Sequence, residues 1–135
     1  MPDSLENPSI CNTNPTFKGW TKPGPLPDLS ARLGLADDET VDALAGHFRI
    51  VQLRDGHRFS TDDVLVAWYG TSWCPSARRV LDLGSGIGSV AMTAAWRLRG
   101  AEFVTVEAQE RSVDLARRSV AYNGLAARFD IREGD

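Results

Sequence analysis

The sequence predicts an α/β fold: a partial parallel sheet of three strands alternating with helices, preceded by a β-hairpin and a disordered N-terminal leader. Three observations carry that expectation. Val80-Leu-Asp-Leu83 is an apolar strand pattern that runs directly into the glycine turn Gly84-Ser-Gly86-Ile-Gly88. After the turn, helical apolar spacing gives way to β-branched strand pattern twice before Asp135. The first 36 residues hold six of the seven prolines and few β-branched residues, a composition that does not build a core.

The elements follow in order. Residues 1–36 read as a mobile Pro-rich leader, and residues 37–135 as one folded part. Phe48–Arg54 and His57–Phe59 flank Asp55-Gly56, a dipeptide suited to a tight hairpin turn, so an antiparallel hairpin is expected there. Ser60 with Asp63 three residues on resembles a capping box. Val64, Leu65, Ala67 and Trp68 continue as a helix ending at Gly70.

Val80, Leu81 and Leu83 around the single acid Asp82 suit a strand buried on both faces of a parallel sheet. Asp82 then lies near the strand's carboxyl end, where open α/β sheets take ligands. Val90, Ala91, Ala94, Ala95 and Leu98 give the next helix its apolar face, with Gly100 as its stop. Ala101–Val106 reads as the second strand, ending on Glu107. Residues 109–123 form a helix with Val113, Ala116, Val120 and Ala121 on one face, and Asn123-Gly124 stops it. Phe129 and Ile131 alternate with Asp130 and Arg132 in a third strand, followed by Gly134-Asp135.

The glycine spacing discriminates between ligands. A dinucleotide fingerprint is G-x-G-x-x-G, with glycine or alanine at the last position, and here that position is Ser89. No G-x-x-x-x-G-K-[ST] segment occurs, so a phosphate-cradling P-loop is unsupported. An acid about 20 residues past the turn is placed to accept ribose hydroxyls, and its two oxygens can take two donors. Glu107 meets that description. The bland reading stays open: Asp82 and Glu107 as ordinary strand-end polar residues, and the glycines as a tight βα turn.

The acid, strand and G-x-G-x-G order over residues 48–135 resembles the class I methyltransferases, whose sheet is Rossmann-like and whose cofactor is S-adenosyl-L-methionine. The resemblance implies that Asp82 with Gly84, Gly86 and Gly88 holds the methionine end of the cofactor. It implies Glu107 for the ribose hydroxyls and Asp135 for the adenine amino group. Ile50–Ala67, containing Phe59-Ser60-Thr-Asp62, is similar to the N-terminal signature of bacterial-type transfer RNA adenine-N6 methyltransferases. That similarity implies that Phe59, Ser60 and Asp62 lie against the methionine end. By residue chemistry alone Phe59 is a core residue, Ser60 a helix cap and Asp62 a first-turn acid favoured by the helix dipole. Both descriptions can hold together.

The same resemblance implies a seven-stranded sheet and an Asn-Pro-Pro-aromatic catalytic segment after its fourth strand. Three parallel strands are accounted for here, and Pro75 is the one proline after residue 30. The expectation is therefore the N-terminal, cofactor-binding part of a longer methyltransferase, with catalytic residues downstream of Asp135 and the isolated chain inactive. The expected substrate is an adenine N6 in transfer RNA. Alternatives are a protein glutamine, a ribosomal RNA guanine, or a noncatalytic cofactor-binding module.

Composition sets bounds. The formal charge is −3, with no whole-chain basic footprint for nucleic acid. Residues 41–79 alone tilt positive, five Lys/Arg against four Asp/Glu. Arg49, Arg54, Arg58, Arg78 and Arg79 are candidates for phosphate contact, against the plainer reading of solvated surface arginines. Cys11, Cys74, His47 and His57 lack zinc-ligand spacing, so no metal is expected. Trp68, Tyr69 and Trp73 are expected in the core rather than stacked on a base. The leader has no long apolar run, its first arginine is Arg32, and no stretch approaches the ~20 apolar residues of a membrane span. A cytoplasmic protein without a membrane partner is the expectation.

Overall fold

The computed structural model describes residues 33–135 together with a short antiparallel strand pair, β1 (Thr16–Phe17) and β2 (Trp20–Thr21). The rest of the expected leader lies outside the described residues. Leu33 and Leu35 pack against the cluster of Ile50, Val51, Ile87 and Leu115.

A hairpin does precede the parallel sheet, but with a different first strand from the one the sequence suggested. β3 (Glu39–Ala45) pairs antiparallel with β4 (Phe48–Leu53), Val41 opposite Val51, and the chain turns at Gly46-His47. Gly46 has φ +54°, and a Cβ there would run into the Trp96 ring, so both the backbone and the neighbouring ring demand glycine. His57–Phe59 is not a strand because β4 has no edge left for it. On the side away from β3, Arg49 N–H donates to Asn123 Oδ1 at 2.9 Å and Val51 N–H to Ser119 Oγ at 2.9 Å. Asp55-Gly56 bends the chain, and the segment after it is held by side chains. Arg58 donates to Leu53 O at 2.5 Å and Asp42 Oδ2 at 2.9 Å, and Phe59 N–H donates to Gln52 Oε1 at 3.0 Å.

After the hairpin come α1 (Thr61–Trp73), β5 (Arg79–Leu83), α2 (Ser89–Arg97), β6 (Glu102–Glu107), α3 (Glu110–Tyr122), a 3₁₀ turn (Ala126–Arg128) and β7 (Phe129–Glu133). The three last strands are parallel in the order β5-β6-β7, with Val80 beside Phe103 and Phe103 beside Phe129. Ala67, Ala91, Ala95 and Val120 of the helices join Val80, Phe103, Phe129 and Ile131 in one apolar cluster. That packing covers one sheet face.

Among the described residues nothing covers the other face. Leu81 and Leu83 are 61% and 70% exposed, so the expectation of a strand buried on both faces fails within the described residues. An apolar run reads the same in sequence whether one helix layer or two lie over it. Trp68, Tyr69 and Trp73 also depart from the core expectation, at 54%, 59% and 72% exposure. Buried residues of α1 are Ala67 and Thr71, so the helix packs by its small residues and turns the aromatic ones outward.

An ion cluster fastens the hairpin to α3. The Glu39 side chain is 1% exposed and accepts from Arg118 Nη2 at 2.6 Å, Arg111 Nη2 at 2.7 Å and Ala36 N–H at 3.1 Å. The bonded Arg118 guanidinium holds the Glu39 carboxyl below its ordinary value against the opposing effect of burial, with Ala36 N–H and Arg111 adding to the lowering. No helix among the described residues is long and apolar enough to cross a membrane.

Candidate functional site

The carboxyl ends of β5, β6 and β7 converge on the glycine loop. Gly84 N–H and Ser85 N–H both donate to Val106 O, at 2.8 and 3.0 Å, which ties the loop to the end of β6. Gly84, Gly86 and Gly88 all have positive φ. At Gly86, φ +55° and open space where a Cβ would project leave the backbone free for a ligand to approach. Gly88 is the N-cap of α2 and meets Ala116 of α3.

Glu107 closes the loop from the far side. Its Oε2 accepts from Gly86 N–H at 2.8 Å and its Oε1 from Gln109 N–H at 2.8 Å. Each oxygen keeps a further lone pair, so two hydroxyl donors can still be accepted. The carboxylate thus stands fixed between the glycine loop and the start of α3.

Asp82 supplies the second acid. Its backbone lies in β5 beside Thr105, and one carboxylate oxygen accepts from Ala91 N–H in the first turn of α2. Among the described residues, Oδ2 is buried without a hydrogen-bond partner, as are Ser85 Oγ, Thr93 Oγ1 and Thr105 Oγ1. Burial pushes the Asp82 carboxyl up; the Ala91 N–H opposes that shift and the Asp63 charge adds to it. A buried acceptor without a donor is costly unless a ligand or water supplies one.

The other expected site residues stand in different relations to the loop. Phe59 is half-buried against the cluster that includes Ile87 of the glycine loop, so it supports the loop from behind. Ser60 is the N-cap of α1, and its N–H donates to Asp63 Oδ2 at 3.0 Å. Asp62 is exposed in the first turn. Its neighbour Asp63 is the acid that reaches the loop, accepting from Ser89 Oγ–H at 3.1 Å. Sequence reading gave Asp63 only a capping role, because nothing local shows that α1 and α2 begin side by side. Gly134 N–H donates to Glu107 O at 3.0 Å, which brings Asp135 to the carboxyl edge of the sheet, exposed.

These groups fit S-adenosylmethionine. An orphaned carboxylate oxygen suits an ammonium donor, open space lies over Gly84 and Gly86, and a fixed carboxylate at the end of β6 suits vicinal hydroxyls. Among the described residues, no three His, Cys, Asp or Glu come together as a metal-binding group. Cys74 is exposed with a free thiol.

Comparison with known proteins gives the family and the fold. The pattern of the methyltransferase small domain family matches residues 63–135. A tRNA1(Val) (adenine(37)-N6)-methyltransferase of Shewanella sp. (strain MR-4) is 31% identical over 90 residues, covering 65% of this chain and 36% of that protein. A release factor glutamine methyltransferase of Chlorobaculum tepidum is 36% identical over 56 residues, covering 42% of this chain and 19% of that protein. The chain therefore spans about a third or less of the curated relatives it matches. Among solved structures, Pyrococcus horikoshii TYW2 in complex with MeSAdo superposes with a TM-score of 0.59 at 19% identity, covering 74% of this chain and 37% of that one.

Proposed function

Because the chain belongs to the methyltransferase small domain family, we propose that it forms the S-adenosylmethionine-binding part of an enzyme that methylates N6 of an adenine in transfer RNA. The observation that carries the cofactor assignment is the pair of acids at the glycine loop. Glu107 is locked by Gly86 and Gln109 N–H groups, and Asp82 Oδ2 is buried without a donor. The cofactor supplies a methyl group made electrophilic by its sulfonium.

The protein's own part is placement. Asp82 and the loop backbone hold the methionine end, Glu107 accepts the ribose hydroxyls and Asp135 accepts from the adenine amino group. Phe59 holds the loop's apolar back, while Ser60 and Asp62 open α1 beside the same end. An exocyclic adenine amine is a weak nucleophile, so alignment with the methyl group and electrostatics would carry most of the rate. The base would have to be unstacked to reach the site.

Similarity to the Shewanella enzyme and the Ile50–Ala67 signature support the transfer RNA substrate. Similarity to the glutamine methyltransferase supports a second reading, transfer to a protein glutamine. Calorimetry of the chain with S-adenosylhomocysteine tests the cofactor assignment, and NAD serves as the contrast. Methyl transfer by the full-length protein to unmodified transfer RNA or to a release factor then separates the substrates. Methylation of the release factor alone would overturn the RNA reading.

A further inference from the structure

Some of the arginines are paired with acids and others are not. Arg58, Arg111, Arg118 and Arg132 each form an ion pair with an acid. Arg78, Arg97 and Arg99 form none among the described residues. Instead they line one cleft of about 320 Å³, together with Pro75, Ser76 and Gly100, and no carboxylate of the described residues lines it. In a chain of formal charge −3, three exposed guanidinium groups around one cleft concentrate positive charge against the overall balance.

Helix capping does not account for them. At the end of α2 the capping arginine is Arg128, which donates to Leu98 O at 2.5 Å and Ala95 O at 3.4 Å and, beyond the helix, to Ala101 O at 2.9 Å. Arg97 and Arg99 are left with their five-donor forks turned to no carbonyl or carboxylate among the described residues. Arg99 stands over the Trp96 ring, 5.9 Å from its centroid, and also lines an adjoining cleft of about 300 Å³ with His47, Trp96 and Arg128. The two clefts therefore join at Arg99 into one basic surface. The nearest acid in β6, Glu102, is paired in register with Arg79 and stands with it on the open face of the sheet.

We infer that Arg78, Arg97 and Arg99 form a phosphate-binding face for RNA at the amino end of the sheet. This rests on the RNA-methylating reading above and adds where the RNA backbone is held. β5 runs five residues from Arg79 to Leu83, so the face lies about 16 Å along the sheet from the glycine loop, at about 3.3 Å per residue. Guanidinium forks match phosphate oxygens bidentately. Contacts of this kind fix the register of the RNA, and the chemistry at the far end selects the base. Of the five arginines of residues 41–79 considered as phosphate contacts, Arg58 is used internally by Asp42 and Leu53, and Arg78 belongs to this face.

The test uses the full chain, a labelled unmodified transfer RNA transcript, and anisotropy titrations over a KCl series. The wild type should bind with salt-dependent affinity. The triple variant Arg78→Ala/Arg97→Ala/Arg99→Ala should bind about tenfold to a hundredfold more weakly, with a salt slope lower by about two to three, at 0.7 to 0.9 per phosphate contact. Lysine at the three positions should restore most of the affinity, which a packing role would not. S-adenosylhomocysteine affinity should be unchanged in all variants. Absence of wild-type RNA binding, an unchanged affinity and slope in the triple variant, or equally tight capture of inorganic phosphate alone would each overturn the inference. Loss of RNA binding in the triple variant, with no S-adenosylhomocysteine binding by any form, would support this face and sink the cofactor assignment separately.

Discussion

Replacing Glu107 with alanine tests the proposed site most directly, because the carboxylate has a structural role and a separate, proposed binding role. The structural role is visible: it accepts Gly86 N–H and Gln109 N–H at 2.8 Å each. Charge-assisted bonds are worth about 1.5 to 3 kcal/mol when buried. Gln109 N–H is exposed and Gly86 N–H half-buried, so water replaces much of what is lost. The expected loss of stability is therefore about 1 to 2 kcal/mol. The binding role adds two ribose hydroxyls at about 1 kcal/mol net each. Together they correspond to roughly thirtyfold in affinity. Calorimetry with S-adenosylhomocysteine reads the second number and urea unfolding the first. Glu107→Gln should fall between, since its carbonyl can satisfy one N–H while its amide opposes the other. A Glu107→Ala protein that unfolds more easily yet binds within threefold of wild type would show that Glu107 only braces the loop, and the ribose assignment would be wrong.

Three further substitutions have distinct signatures. Glu39→Ala leaves Arg111 and Arg118 without their buried partner and should cost about 3 kcal/mol at pH 7. Because the folded carboxyl titrates below its usual 4.5, that stability is fully present above pH 4.5 and disappears as pH falls through the lowered value. Urea melts of wild type and variant should therefore converge in acid, and a constant gap down to pH 2 would refute the linkage. Asp82→Asn should act in opposite directions on stability and binding. Its carboxyl is raised above 3.8, so the ionised form costs stability at neutral pH and that cost is relieved as pH falls through the folded value. The variant should unfold at higher urea than wild type near pH 7 while binding S-adenosylhomocysteine more weakly, and equal binding would remove Asp82 from the site. Gly46→Ala places a methyl group into the Trp96 ring at φ +54° and should destabilise by about 2 kcal/mol or more, read by thermal melting. An unchanged midpoint would mean that the turn adapts.

The parts of this fold that were legible in the sequence are those whose cause is local. Val80–Leu83, the three glycines and the helix after them specify a strand, turn and helix in sequence, and the structure has all three there, though one face of the strand is exposed. The hairpin shows the opposite case. Asp55-Gly56 is a stronger turn signal than Gly46-His47, yet the chain pairs around the weaker one. The deciding groups are far away in sequence: Asn123 and Ser119 occupy the outer edge of β4, and Arg118 with Arg111 makes it tolerable to bury Glu39 in β3. A strand pattern containing Glu39 and Asp42 reads as polar until those partners are known. Asp63 was half legible for the same reason, as a cap from its own helix but not as the partner of Ser89 on the next.

The misplaced hairpin also explains how the site is supported. Had residues 57–59 formed a strand, Phe59 would have been spent on a second β edge. Because they do not, Gln52 and Arg58 fix this short connection by side-chain bonds, and Phe59 packs with Ile50, Val51 and Leu115 against Ile87. Ile87 lies between Gly86 and Gly88, so the hairpin, α3 and the glycine loop share one apolar contact behind the loop backbone. Glycine makes the loop able to take its shape, but it cannot hold that shape, since it loses the most conformational freedom on folding. The holding is done from both sides, by Ile87 on the apolar side and by Glu107 on the polar side. Residues 33–59 are thus part of the site's architecture although they include no loop glycine and neither of its two acids.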